Sequence, residues 1–309
     1  MDKSVYIVIL NYKNREDTIV CLESLRNITY KNYYMVVVDN DSQDGSYEYL
    51  KEHEKDCYVM QSGDNRGYAA GNNIGIRYAL EQGADYVCIL NNDVVVEPDF
   101  LTVLVQYMES SPETGMAGPV VYEFNEREKI QSAGFSIAVR TGSTKPLLQG
   151  KSKSDPKIQA NIQKSSATFC DGLSGTCLLV RREVLEQVDL IPECYFLFFE
   201  EMEWCLSVQK AGYKLATVFN TGVYHKGSAS IKKTGTLSRY YMARNRVLFV
   251  RRNGTLLDYL VFLVVEGPAH FFRTLFSSKK EIRKVELKGF CEGLKMNKDE
   301  NVEARFYAL

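Results

Sequence analysis

Asn91, Asn92 and Asp93 interrupt an apolar run, with Tyr86 to Leu90 before them and Val94 to Val96 after. A carboxylate beside amide oxygens is what a hard divalent cation such as magnesium or manganese takes as ligands. A plain turn between two apolar segments needs no carboxylate. Glu200, Glu201 and Glu203 open the stretch FFEEMEWCLSVQKAG. Acids in a first helical turn complement the helix dipole, and the same carboxylates are able to take a proton. His225, one of three histidines, closes the strand-like run KLATVFNTGVYH. A lone histidine there is more often a hydrogen-bonded structural residue than a ligand. Trp204, the single tryptophan, offers the apolar face that sugars pack on and serves equally well in a core.

Such side chains need a scaffold that brings them together. Val5 to Leu10 is a continuous apolar run, and Arg15 to Ile28 carries Ile19, Leu22 and Leu25 at helical spacing. Further strands are expected at Met35 to Val38, Cys57 to Met60 and Tyr86 to Leu90, with a helix over Ala70 to Glu81 that Gly83 stops. Apolar strands alternating with helices predict an α/β fold, a parallel sheet covered on both faces. Ligands of such sheets bind beyond the carboxyl ends of the strands. Asn11, Asp39 with Asn40, and Asn91 to Asp93 end strands one, two and four, so they share that edge. DNDSQDGS, Asp39 to Ser46, also reads wholly as turn and helix-cap chemistry.

Composition narrows the function classes. The 309 residues are 45% hydrophobic, enough for one large domain with a helical extension. With 38 basic and 39 acidic residues there is no field to hold nucleic acid. Eight scattered cysteines without a CxxC pair read as reduced core thiols of a cytoplasmic protein, not as zinc ligands or disulfides. MDKSVYIVILNY reads as a first strand and not as a secretion signal. Between Phe124 and Phe169 the periodicity fades, and RTGSTKPLLQGKSKSDPKIQ predicts a mobile loop or an insertion without function. From Thr255 on, apolar residues lie beside Lys and Arg, but Asp258, Glu266 and Pro268 leave no run near the roughly 20 residues a membrane span needs. Leu256 to Phe276, followed by Lys279, Lys280, Arg283, Lys284 and Lys288, is expected to be an interfacial helix, a packing face or a dimer contact.

Seven motifs then occur in order: VYIVILNYKNREDTIVCLESL, VVVDNDSQDGS, GDNRGYAAGNNIGIRYAL, GADYVCILNNDVVVEPDFL, GLSGTCLLVRREVLEQV, YFLFFEEMEWCLSVQKAGYKLA and GVYHKGSAS. Together, and more weakly through RYYMARNRVLF, they resemble the family 2 glycosyltransferases of the rhamnosyltransferase-like group. The resemblance implies a GT-A fold, with a catalytic domain over residues 1–230 and a helical extension over 231–309. It implies a nucleoside-diphosphate-sugar donor, a divalent metal and inversion at the anomeric carbon. At matching positions Asp93 is the metal ligand and His225 completes its shell. Only Asp93 keeps a carboxylate of the family's acidic triplet, with Asn91 and Asn92 as substrate contacts. Asp39 would accept from the pyrimidine base with Asn11 nearby, and Asn65, Arg66 and Gly67 would run along base and ribose, Gly67 giving close backbone approach. Asn72 joins this set, and Asp171 with Gly172, Ser174 and Gly175 of GLSG would lie under the acceptor, with the loop RTGSTKPLLQGKSKSDPKIQ near that side. Glu201 stands where the family has its base, Glu replacing the usual Asp, and Glu200 is the fallback.

The motif set points first to dTDP-rhamnose as donor and to a glycan, including a lipid-linked one, as acceptor in cell-surface polysaccharide synthesis. The protein would then work at the inner face of the membrane, with a homodimer left open. A UDP-hexose donor, or a non-catalytic nucleotide-sugar or glycan-binding subunit, stays as the alternative. A sugar-phosphate nucleotidyltransferase would want a glycine-rich loop after strand one, and NYKNREDT has no glycine.

Overall fold

A computed structural model describes residues 2–227, 235–268 and 280–298. Strand β1 (Val5–Asn11) is apolar nearly throughout because it lies inside the sheet with helices on both faces. Helix α1 (Arg15–Arg26) follows, then β2 (Tyr33–Asp39), α2 (Ser46–His53), β3 (Cys57–Gln61), α3 (Tyr68–Glu81) and β4 (Tyr86–Asn91). The expected βαβ rhythm is present, and α2 is an addition hidden behind its turn-like DNDSQDGS leader. β1 pairs in parallel with β2 and with β4, and β2 with β3.

The second half departs from a purely parallel sheet. After β5 (Val94–Val96) and α4 (Phe100–Ser110) come β6 (Thr114–Glu123), β7 (Ile130–Ser132), β8 (Phe135–Ala138) and β9 (Ser143–Pro146). Then follow α5 (Pro156–Lys164), β10 (Ala167–Cys170), β11 (Cys177–Arg181), α6 (Arg182–Gln187), α7 (Glu200–Lys210) and β12 (Lys214–His225). The sheet order is β10-β12-β6-β11-β4-β1-β2-β3, and β11 runs antiparallel to both its neighbours. The stretch expected as a mobile loop instead contains the β8–β9 hairpin and α5. Its sequence lacks periodicity because β9 is exposed along its whole length and buries no face.

The Asn91–Asp93 interruption is where the chain leaves one strand pair for another. β5 does not extend β4 but pairs antiparallel with β12, with Val94 opposite His225. β12 reaches that position through a bulge: Val218 pairs with Pro119 and Gly222 with Val120, so three residues on one strand have no partner on the other.

The sheet carries a core on each face. Ile7, Ile9, Leu22, Leu25, Phe100 and Leu104 fill one, and Val8, Val36, Ile76, Ile89, Trp204 and Val208 the other. Helices α8 (Gly235–Asn253), α9 (Leu256–Val261) and α10 (Lys280–Lys295) close the described chain. The expected boundary at 230/231 lies outside the described residues, as do residues 269–279 of the expected interfacial helix. Among the described residues no helix is long and apolar enough to cross a membrane.

Candidate active site

The carboxyl ends of β1, β2 and β4 do converge, and a buried hydrogen-bond chain knits them together. The Asn11 amide donates to Asp39 at 2.7 Å, and its Oδ1 accepts from the Thr18 hydroxyl at 2.9 Å. Asn92 in turn donates to Thr18 at 2.9 Å and to the Asn14 carbonyl at 3.2 Å. Asp39 also accepts from the Ser42 hydroxyl at 2.6 Å and the Ser42 backbone N–H at 3.0 Å. Asn11 and Asp39 are wholly buried. Expected as contacts to a base, they are turned inward, because a buried carboxylate needs several donors and the neighbouring loop supplies them. Asn11, Asp39 and Asn92 are the floor of the site. Asn91 is half-exposed, and its side chain has no hydrogen-bond partner among the described residues.

Asp93 and His225 meet above this floor. His225 Nε2 lies 3.1 Å from Asp93 Oδ1. The ring's other nitrogen settles which atom carries the hydrogen. Gln131 donates through its amide nitrogen to Glu123 at 3.2 Å, so its carbonyl oxygen faces His225 Nδ1 at 2.6 Å. Nδ1 is therefore the donor, and a neutral ring aims its Nε2 lone pair at the Asp93 carboxylate. Two electron-rich atoms pointed at each other call for a proton or a cation between them. Among the described residues no cluster of three or more His, Cys, Asp or Glu side chains is placed to hold a metal, so the protein offers this pair.

The acids at the head of α7 form the second half of the site. Three phenylalanines before them, Phe196, Phe198 and Phe199, have φ of 65°, 70° and 78°. Each such left-handed residue costs about 1–3 kcal/mol and persists only where its surroundings force it. Tyr68 N–H, at the start of α3, donates to the Phe196 carbonyl at 2.9 Å. Gly67, at φ 97°, lies so close to Phe196 that any side chain there would collide with its backbone. The close approach expected of Gly67 is thus made to the chain's own loop.

Glu200 is buried, and its Oε2 has no hydrogen-bond partner among the described residues. Burial first, and the neighbouring Glu201 second, push its carboxyl well above the usual range. Burial also raises Glu201, which is half-buried and lies against Gly175, where a Cβ would strike the carboxyl group. Both carboxyls are raised, Glu200 the further, so Glu200 is the one of the pair that holds its proton to the higher pH. The Tyr68 hydroxyl donates to the Gly175 carbonyl at 2.9 Å. Burial and then the charges of Glu201 and Glu200, with Asp93 further down the order, raise this phenol well above its usual range. One hydroxyl therefore stands within electrostatic reach of the acids and of the Asp93–His225 pair.

The remaining expectations sort by geometry. The Asn65 side-chain oxygen accepts from Asn40 and from Gly67 N–H, each at 3.0 Å, which shapes the loop. Arg66 lies on the rim, 3.3 Å from Asp64 and 3.8 Å from Glu193. Asn72 is buried and donates to the Tyr68 carbonyl at 3.0 Å. Trp204 is a core residue whose indole N–H donates to the Asp189 carbonyl at 3.1 Å, so no sugar reaches its face. Asp171 accepts from Ile137 N–H at 3.0 Å and anchors the β8–β9 hairpin instead of lying under an acceptor. Sequence reasoning missed Tyr68 and Gln131, and set Gly175 under the acceptor without its contact to Glu201. Tyr68 stood in view inside GYAAGNNIG, but its partner is a backbone carbonyl.

Residues 4–189 match the model of glycosyl transferase family 2. The chain belongs to that family. A curated relative, the dTDP-rhamnosyl transferase RfbF of Shigella flexneri, is 27% identical over 290 residues, covering 91% of this chain and 92% of its own. The N-acetylglucosaminyl-diphospho-decaprenol L-rhamnosyltransferase of Mycobacterium tuberculosis is 26% identical, covering 66% and 70%. Among solved structures the chain is similar to GalNAc-T7 with UDP, GalNAc and Mn2+, at a TM-score of 0.65 and 14% identity over 95% of this chain and 56% of that one. It is similar also to the mannosyltransferase PcManGT of Pyrobaculum calidifontis with GDP-Man and Mn2+, at 0.58 and 14% over 95% and 88%. At these identities the likeness is one of fold. It makes this family 2 glycosyltransferase a GT-A protein, as the sequence motifs implied.

Proposed function

We propose that this glycosyltransferase moves a rhamnosyl group from dTDP-rhamnose to a glycan acceptor, with inversion, in cell-surface polysaccharide synthesis. The donor reading is supported by the rhamnosyl transfer for which relatives similar along most of their length are named. The chemistry rests on one observation, the acid pair at the head of α7, with Glu201 lying against Gly175 and Glu200 buried beside it. Glu201 takes the acceptor hydroxyl's proton as the new oxygen–carbon bond forms, while the bond from the anomeric carbon to the diphosphate breaks on the opposite face. One displacement with one base inverts the centre. Glu200, still protonated, keeps a second negative charge out of the site.

Asp93 and His225, a carboxylate and an imidazole facing each other, would hold a divalent cation such as manganese or magnesium. When bound, the cation offsets the charge growing on the leaving group as a Lewis acid. Asn91 and Arg66, both partly exposed, would contact the donor. We further propose that the protein rests against a lipid surface, which suits a lipid-linked acceptor. Leu256, Leu257, Leu260, Val264 and Val265 are all at least half exposed on α9 and the π-helical turn (Phe262–Glu266) after it.

Release of free nucleoside diphosphate from dTDP-rhamnose, UDP-glucose and UDP-N-acetylglucosamine, with and without Mn2+, tests this reading. Manganese-dependent turnover of dTDP-rhamnose is expected, falling roughly 100- to 10,000-fold in Glu201→Gln with donor binding kept. Turnover of a UDP-sugar alone would overturn the donor assignment. A loss in Glu200→Gln but not in Glu201→Gln would overturn the base.

A further inference from the structure

The left-handed loop ahead of the acids is gripped from the far end of the chain. Asn245, wholly buried on α8, places its amide nitrogen 3.0 Å from the Tyr195 carbonyl, 2.8 Å from that of Leu197 and 2.9 Å from that of Phe198. Its orientation is fixed, because Arg244 Nε donates to the Asn245 side-chain oxygen at 2.8 Å. Arg244 adds bonds of 3.3 Å and 2.6 Å to the carbonyls of Cys194 and Tyr195. Helix α10 braces this grip from behind. Gly289 and Gly293 lie against the α8 backbone at Tyr240 and Arg244, where a Cβ on either would collide. Glu292 accepts from the Tyr240 hydroxyl across the same contact.

We propose that Asn245 is a positioning residue of the transfer reaction: through the carbonyls of Tyr195, Leu197 and Phe198 it sets where α7 begins, and so where Glu201 lies against Gly175. This rests on the reading of Glu201 as base. Among the described residues no hydrogen bond joins Asn245, or the carbonyls it holds, to Asp93, His225, Asn11, Asp39 or Asn92, although Phe196 in the same loop packs on Gly67 and accepts from Tyr68 N–H. Loss of Asn245 therefore displaces the base first and leaves the Asp93–His225 pair and the floor in place. A residue that only stabilised the fold would weaken donor binding and turnover together.

The full-length chain is compared with Asn245→Ala and Asn245→Ser. Calorimetry with dTDP-rhamnose and Mn2+ reads donor affinity, nucleotide release reads turnover, and 13C-labelled glutamate carboxyls, assigned through E200Q and E201Q, read the acid pair directly. Folded Asn245→Ala is expected to bind donor as the parent does and to turn over about 10- to 100-fold more slowly, since a shift near 1 Å is enough for such a loss. Its Glu200 and Glu201 titrations should move toward the ordinary glutamate range as the loop admits water, with Asn245→Ser between the two. Should Asn245→Ala fail to fold, the serine variant decides by the same readings. Unchanged titration and turnover in a folded variant, or equal loss of binding and turnover, overturns the positioning role. A parent chain that turns over no donor while the titrations shift overturns the base assignment and leaves Asn245's hold on the acids standing.

Discussion

Glu200 and Glu201 show how much one buried proton governs. Native Glu200 keeps its proton above the pH at which an unfolded glutamate loses it. Across that window the native state binds more protons than the unfolded chain, so stability is fully present below the ordinary glutamate value and falls as pH rises toward the native one. Glu200→Gln mimics the protonated form. Its thermal midpoint should exceed the parent's near pH 8 and match it near pH 4, followed by circular dichroism; a parallel curve at all pH values would contradict the buried proton. At the other end of the site, Mn2+ should raise the parent's melting temperature because only the native state binds it. Asp93→Asn should abolish that rise, and His225→Ala should reduce it, in a dye-based melt without any donor. The residues the sequence singles out most readily are those whose chemistry is their own: Asp93, His225 and the two acids. Asn245 and Tyr68 act on backbone carbonyls, which every residue has, so nothing in the letters marks their partners.

At the scale of elements, legibility followed locality. β1, β2 and β4 are continuous apolar runs because both faces of each are covered, and their sequence says so. β5 reads as the continuation of β4, yet its partner β12 lies more than a hundred residues on, a pairing that no local pattern encodes. The β8–β9 hairpin pairs mainly with itself and leaves little periodicity to find. The α8–α10 contact was missed because glycines in a helix usually read as weak points. Here they are what lets two backbones approach. A Cβ on Gly293 would lie 2.5 Å from the Arg244 carbonyl and 2.8 Å from Val247 Cβ. Gly293→Ala should therefore destabilise the protein by about 1–3 kcal/mol, the usual toll of overpacking. A lower urea midpoint at unchanged slope would show it, and a midpoint equal to the parent's would mean that α10 does not press on α8.

For the whole molecule, the sheet's carboxyl edge gathers the donor end, and the terminal helices face outward with an aliphatic ridge. Asp258 does not break that ridge, since it is turned to Arg140 at 2.8 Å and caps α9 through Thr255. The intact chain should pellet with anionic vesicles at low salt, and Leu256→Ser with Leu260→Ser should leave it in the supernatant. Retention of the double variant on vesicles would place the lipid contact elsewhere. The brace on α7 has a consequence for how the enzyme comes into being. Chains are made from the amino end, and their early parts fold as they emerge. Asp93 and His225 are complete once β12 has left the ribosome, whereas Asn245, Gly289 and Gly293 arrive later. On the proposed reading, a chain still being translated would hold its sugar donor before it could use it, and catalytic competence would wait until α8 and α10 had been added.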